Sequence, residues 1–228
     1  NLYVVGSLRT RYTTRETRLA GKNSASRYIF CPTSQADAGK ELRIELTTYT
    51  SNYSGIVNQV FCGDKADIWQ TILSKYEFAT YIALFILFAG TIGILFSLTL
   101  GMVYHKHFDM EYLSWCMVMG AVWMLGESNL RQILVPNASA LGSLCFVMIL
   151  LCPIPLLLYA DCVQHGLHHR LYCWIGGAAL LDFAICTLLT TADIADYIET
   201  LPIGQIILIG TFLIIFIHLC LYTHASQD

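Results

Sequence analysis

Glu127 and Arg131 stand four residues apart inside otherwise apolar sequence. An acid one helical turn before a base is the order that favours an ion pair. Ionisable groups within a membrane span usually face the bundle interior and mark function. A pair near the end of a span can equally snorkel to the headgroups, and the sequence leaves both readings open. Asp182 is the sharper case, a lone carboxylate midway through another apolar stretch. Such a group costs at least ~2.5 kcal/mol at the bilayer centre by insertion scales. It must face a polar partner or a water-filled cavity, or be protonated; Ser114, Ser143 and Gln205 are the candidate partners. Functional and purely structural roles for it weigh equally.

Pro153 and Pro155 are the third feature of the apolar region. Each removes a backbone donor, so the pair is expected to kink a helix and open a hinge or a cavity. Five histidines group in two connecting segments, His105 with His107 and His165 with His168 and His169. The set bears a faint likeness to membrane di-iron enzymes, which need more histidines in several boxes at helical spacing. Solvated loop histidines are the better reading, and no metal or cofactor is expected. Cys31 and Cys62 follow two short apolar runs; in an exported domain they could pair as a disulfide, and otherwise they are two free thiols. The other seven cysteines lie in or beside the apolar segments and read as small hydrophobic residues.

The elements that must hold these residues are written in the hydropathy. From Phe78 to Tyr104 the chain runs 27 residues without Asp, Glu, Lys, Arg or His. About 20 apolar helical residues cross the hydrocarbon core of a bilayer. Similar stretches follow, giving five expected spans at about 78–103, 112–134, 139–160, 171–191 and 202–222. Of the 13 Lys and Arg, ten precede Phe78, so a polar region and a membrane region divide the chain. The net charge of −3 gives no sign of nucleic-acid binding. Lys and Arg near the spans do not decide orientation; a strand-rich polar domain leans toward the outside.

Within the polar region, Glu41 to Leu46 alternates apolar and charged residues as a half-buried strand does. Leu2 to Gly6, Tyr28 to Phe30 and Ile56 to Phe61 are further strand candidates, and 10–27 suits an exposed loop. Short strands with turns between them suggest part of a β-sandwich. Residues 67–77 read as a short amphipathic linker helix, with Trp69 where an interfacial aromatic belongs. The expected architecture is a membrane all-α helical bundle of about five spans (78–224), preceded by a partial extracellular β-sandwich (1–66).

Several strings also carry a family likeness. Trp123 to Leu130 (Trp-Met-Leu-Gly-Glu-Ser-Asn-Leu), then Pro153 to Tyr159, resembles bacterial seven-transmembrane receptors with diverse intracellular signalling modules. Asp182-Phe183 and Asp196 to Pro202 look similar to their later membrane segments. Gly39 to Leu46, Tyr53 to Val57 and Gly63-Asp64 resemble the end of their extracellular sandwich, in the manner of Firmicutes diguanylate cyclases with a C-terminal GGDEF domain. The resemblance covers most of the chain and brings no catalytic residue. It implies a signal-sensing input module in the bacterial plasma membrane, an unidentified extracellular ligand, control of cyclic di-GMP synthesis, and a homodimer formed through the output domain. That family has further membrane helices and then the output domain; this chain holds no GGDEF string, histidine-kinase box or P-loop, so it reads as a non-catalytic fragment. The alternative is a transporter or channel component using Asp182 and Glu127 in a polar path. Transport folds favour inverted repeats, and no internal repeat is visible.

Overall fold

The structure is a computed structural model that describes residues 1–12, 21, 27–47, 59–105, 108–128, 130–135 and 137–225. Much of the expected 10–27 loop, the first half of the Ile56–Phe61 run, the Tyr53–Val57 string, Lys106, His107 and Asn129 lie outside the described residues.

The polar region carries one antiparallel sheet in the order β2-β1-β3, with β1 at Leu2–Val4, β2 at Ser7–Thr10 and β3 at Leu42–Ile44. Strands β1 and β2 form a hairpin closed by Val5 and Gly6, both at positive φ (49° and 74°). A two-residue loop of that kind follows the natural twist of the strands, but it puts a β-branched residue where Asn or Gly is usual. The expected alternation in β3 buries nothing, because Leu42 and Ile44 are exposed. A second sheet over that face is what a sandwich would add, and the described residues form a single sheet. The strand expected at Tyr28–Phe30 is absent. The Tyr28 N–H is given to the Gln132 side chain, 2.9 Å away, and so is lost to any ladder.

Among the described residues, every element after Asp64 is a helix. Helix α1 spans Lys65–Tyr104, 40 residues, and ends where His105 turns left-handed (φ 53°). The linker helix expected at 67–77 is therefore the first three turns of α1, since nothing between Tyr76 and Phe78 interrupts the hydrogen-bond ladder. Helix α2 (Met110–Glu127) packs along α1, and α4 (Ala138–Leu151) and α5 (Pro153–Val163) pack on α2 in turn. Helices α6 (His169–Thr191) and α7 (Tyr197–Ala225) lie against α4 and α5. The α1–α2 seam is made of small residues. Ala83, Gly90 and Ser97 recur every seventh position, and a Cβ on Gly90 would sit 2.9 Å from Val118. Small residues let helix backbones approach closely where no hydrophobic effect drives them together.

Among the described residues, four helices are long and apolar enough to cross a membrane: α1, the α4–α5 pair taken together, α6 and α7. Their outer faces carry exposed Phe78, Phe85, Phe88, Trp174, Leu188 and Ile206. Such surface suits lipid and not water. The expected second span, 112–134, is corrected. Helix α2 stops at Glu127, Ser128 is extended (ψ 133°), and the short α3 (Arg131–Leu134) starts afresh. At the two prolines α4 gives way to α5 across Cys152, which keeps helical dihedrals, and Pro153 and Pro155 are buried.

Candidate functional site

The polar region is tied to one end of the helical bundle by contacts with several of its elements. Phe30 lies on Trp69 of α1, ring centres 5.0 Å apart, and Tyr28 lies against Phe61 at 6.1 Å. Burial and a hydrogen bond with Tyr76 push the Tyr28 phenol up to about 12. The Tyr28 backbone bonds Gln132 of α3, and Lys75 Nζ reaches Gln59 Oε1 at 3.0 Å. Tyr12 is hydrogen-bonded to Ser139 in the first turn of α4, and burial raises its phenol above the ordinary range. Gly21, at φ 75°, packs on the α6–α7 turn. A Cβ there would run into the Asp196 carboxylate and come within 3.1 Å of Thr190 Cγ2. The sequence marked Trp69 as an interfacial residue; nothing in it marked Tyr12, Gly21 or Tyr28.

Arg131 belongs to this end. Its Nη1 donates to the Gly126 carbonyl at 2.6 Å, covering the C-terminus of α2. A cation there is favoured by the helix dipole. Glu127 is exposed, and the two side chains do not pair with each other. The expected ion pair required one continuous helix; the break at Ser128 removes the register. Next to Arg131, Gly126 leaves no room for a side chain, because Cys145 Sγ occupies the place of a Cβ.

Asp182 sits in mid-bundle, half-buried between α6 and its neighbours. Its Oδ1 accepts from the Cys186 thiol at 3.7 Å, and its Oδ2 lies 3.2 Å from where a Gly204 Cβ would stand, with Leu150 crowding the same point. None of the partners read from the sequence reaches it. Ser114 bonds the Met110 carbonyl, Ser143 bonds the Ser139 carbonyl, and Gln205 is exposed. The core around it is Ile149, Leu150, Cys186 and Tyr197. At the junction of α4 and α5, Cys152 Sγ touches Cys116 Sγ of α2 at 3.7 Å. Cys31 and Cys62 are free thiols.

The opposite end of the bundle holds polar groups that sequence reading treated as solvated. Gln164, fully buried, accepts from Tyr172 Oη at 3.1 Å and lies 3.1 Å from His168 Nδ1. Tyr172 Oη also meets His218 Nδ1 at 3.1 Å, and the His168 and His218 rings stack with centres 3.8 Å apart. Beside them Asp161 Oδ2 lies 2.6 Å from His169 Nδ1, and His169 Nε2 lies 3.4 Å from Cys173 Sγ. Of the expected loop histidines, His105 and His165 are exposed and both left-handed. Among the described residues no three His, Cys, Asp or Glu side chains converge as a ligand set. The spacing of His169 and Cys173, one helical turn, was the signal available; Asp161 comes from the other side of a loop. No family model, curated protein or solved structure matches the chain.

Proposed function

We propose that the chain is the input module of a bacterial transmembrane receptor, lodged in the plasma membrane with its polar domain outside. A ligand or partner acts on that domain, the bundle takes one of two arrangements, and a cytoplasmic diguanylate cyclase encoded beyond these residues responds. The observation that carries the reading is the grip of Tyr12, Gly21, Tyr28 and Phe30 on α4, the α6–α7 turn, α3 and α1. A small domain that merely capped the bundle would not need to hold four elements at once. A shift in any of these contacts is passed to helices that run to the far side. Helix α1 is uninterrupted over 40 residues, about 60 Å at 1.5 Å per residue. Asp182 supplies a candidate switch, because its weakly satisfied carboxylate lies where α4, α6 and α7 meet.

The test compares cellular cyclic di-GMP from the complete reading frame at matched membrane abundance. The double variant Phe30→Ala/Trp69→Ala, which removes the ring contact between the polar domain and α1, is expected to shift the basal level. Phe85→Ala, on the exposed face of α1, is expected to leave it at the wild-type value. Equal levels in all three proteins would sink the reading.

A further inference from the structure

We propose that Cys173 is an activated thiol that accepts a long-chain acyl group from an acyl thioester, with His169 as its base and Asp161 as the residue that positions the histidine. The three side chains stand in relay. Asp161 Oδ2 is 2.6 Å from His169 Nδ1, and the opposite ring nitrogen, Nε2, is 3.4 Å from Cys173 Sγ. A carboxylate on Nδ1 fixes the tautomer with its proton there, which leaves the Nε2 lone pair facing the thiol. Nucleophile, base and orienting group in that order are the arrangement that activates a weak nucleophile. A metal does not explain it, because acid and thiol meet opposite edges of the imidazole and do not converge on one point.

The surroundings name the substrate class. His169 and Cys173 are exposed at the start of α6, beside exposed Leu171 and Trp174. Further along the same face of the helix come Gly177, Leu180, Ala184 and Leu188, all exposed and all at helical spacing from Cys173. A Cβ on Gly177 would meet nothing within 4 Å, so the helix surface directly above the thiol is open. An acyl chain fixed at Cys173 can lie along that open face among lipid tails. A cysteine at a membrane boundary is also the common acceptor for reversible acylation.

The step balances without an added redox partner. Cys173 Sγ attacks the acyl carbonyl carbon as its proton passes to His169 Nε2. The new carbon–sulfur bond forms, the carbon–sulfur bond to the donor breaks, and the imidazolium returns the proton to the departing donor thiolate. Asp161 only orients the ring and exchanges no proton in the step. Neither the sensor reading nor the orientation of the chain enters this argument.

The test uses the full chain in lipid nanodiscs, incubated with palmitoyl-coenzyme A bearing a terminal alkyne. Labelled peptides are identified by mass spectrometry and checked for release by hydroxylamine. Cys173 is expected to be the principal site, and His169→Gln to slow its labelling about a hundredfold, the size of a lost general base. His169 is 64% exposed, so this variant should melt as the wild type does. Asp161→Asn is expected to slow labelling at unchanged melting temperature, and Asp161→Glu to recover part of it, a rescue that a packing role would not give. Acetyl-coenzyme A should label far more slowly than the long-chain donor. Labelling spread evenly over the cysteines, an unchanged rate in His169→Gln, or equal rates for the two donors would each overturn the proposal.

Discussion

Asp182 is a poorly satisfied carboxylate. Its Oδ1 accepts from the Cys186 thiol, 3.7 Å away, while Gly204 and Leu150 close the space around its second oxygen. A carboxylate so weakly satisfied within an apolar span is a functional candidate by default. Asp182→Asn keeps the shape and removes the charge. It is expected to insert and fold as the wild type does and to hold cyclic di-GMP output from the complete reading frame constantly high or constantly low. Output that still matched the wild type across culture conditions would remove Asp182 from the mechanism. In the polar domain, Asp37 allows a prediction about pH. The Ser34 N–H and hydroxyl, both 3.1 Å from its Oδ2, hold its carboxyl below the usual carboxylate range, helped by Arg9 and Lys40. A folded value below the unfolded value of about 3.9 stabilises the fold above that pH and is lost as pH falls through the folded value. The Ser34–Asp37 turn and the Arg9 strand it anchors should therefore loosen below about pH 4. Asp37→Asn should look loosened at neutral pH and show no further acid step, read by amide chemical shifts of Arg9 and Asp37's neighbours. A wild-type turn that loosened already above about pH 4 would contradict the assignment.

At the scale of elements, what was legible follows from how far the deciding interaction lies along the chain. Helix α1 was plain in the sequence because its 27 uncharged residues admit no other outcome in lipid. The interruption at Pro153 was equally plain, since the missing donors belong to those residues themselves. The end of α2 was not. Nothing in Gly126-Glu127-Ser128 forbids helix; the break is held from outside, by Arg131 returning to the Gly126 carbonyl and by the polar domain engaging Gln132. The same contact explains the missing strand at Tyr28–Phe30, whose apolar run was readable but whose donor was already spoken for by a side chain 104 residues away. The relay at Cys173 stayed hidden for a similar reason. Its histidine and thiol are one turn apart, yet the acid that orients them arrives from α5 across the His165–His168 turn.

For the whole molecule the open question is how α2 relates to the bilayer. It is not among the four helices long and apolar enough to cross by themselves, and it packs against α1, α4 and α5. A helix surrounded by other helices needs little lipid-compatible surface, so a modest apolar content does not argue against a crossing. Its 18 residues measure about 27 Å, close to the ~30 Å of a hydrocarbon core. Its ends also lie where a crossing needs them. Ser128 meets Thr80 near the polar domain, 3.2 Å between hydroxyls, while its N-terminal neighbour Asp109 bonds Cys162 at the far end of α5. Five crossings place Cys62 and the turn at Leu167 on opposite faces, and Cys62 and the turn at Ile194 on the same face. Four crossings, with α2 held on one side, would put Leu167 with Cys62 instead. Single-cysteine versions at Cys62, Leu167→Cys and Ile194→Cys, all exposed positions, decide between them with a membrane-impermeant maleimide on intact cells. Cys62 and Ile194→Cys are expected to label before lysis and Leu167→Cys only after it. Labelling of Leu167→Cys together with Cys62 in intact cells would take α2 out of the membrane, and labelling of Leu167→Cys alone would turn the whole protein over, with the polar domain inside.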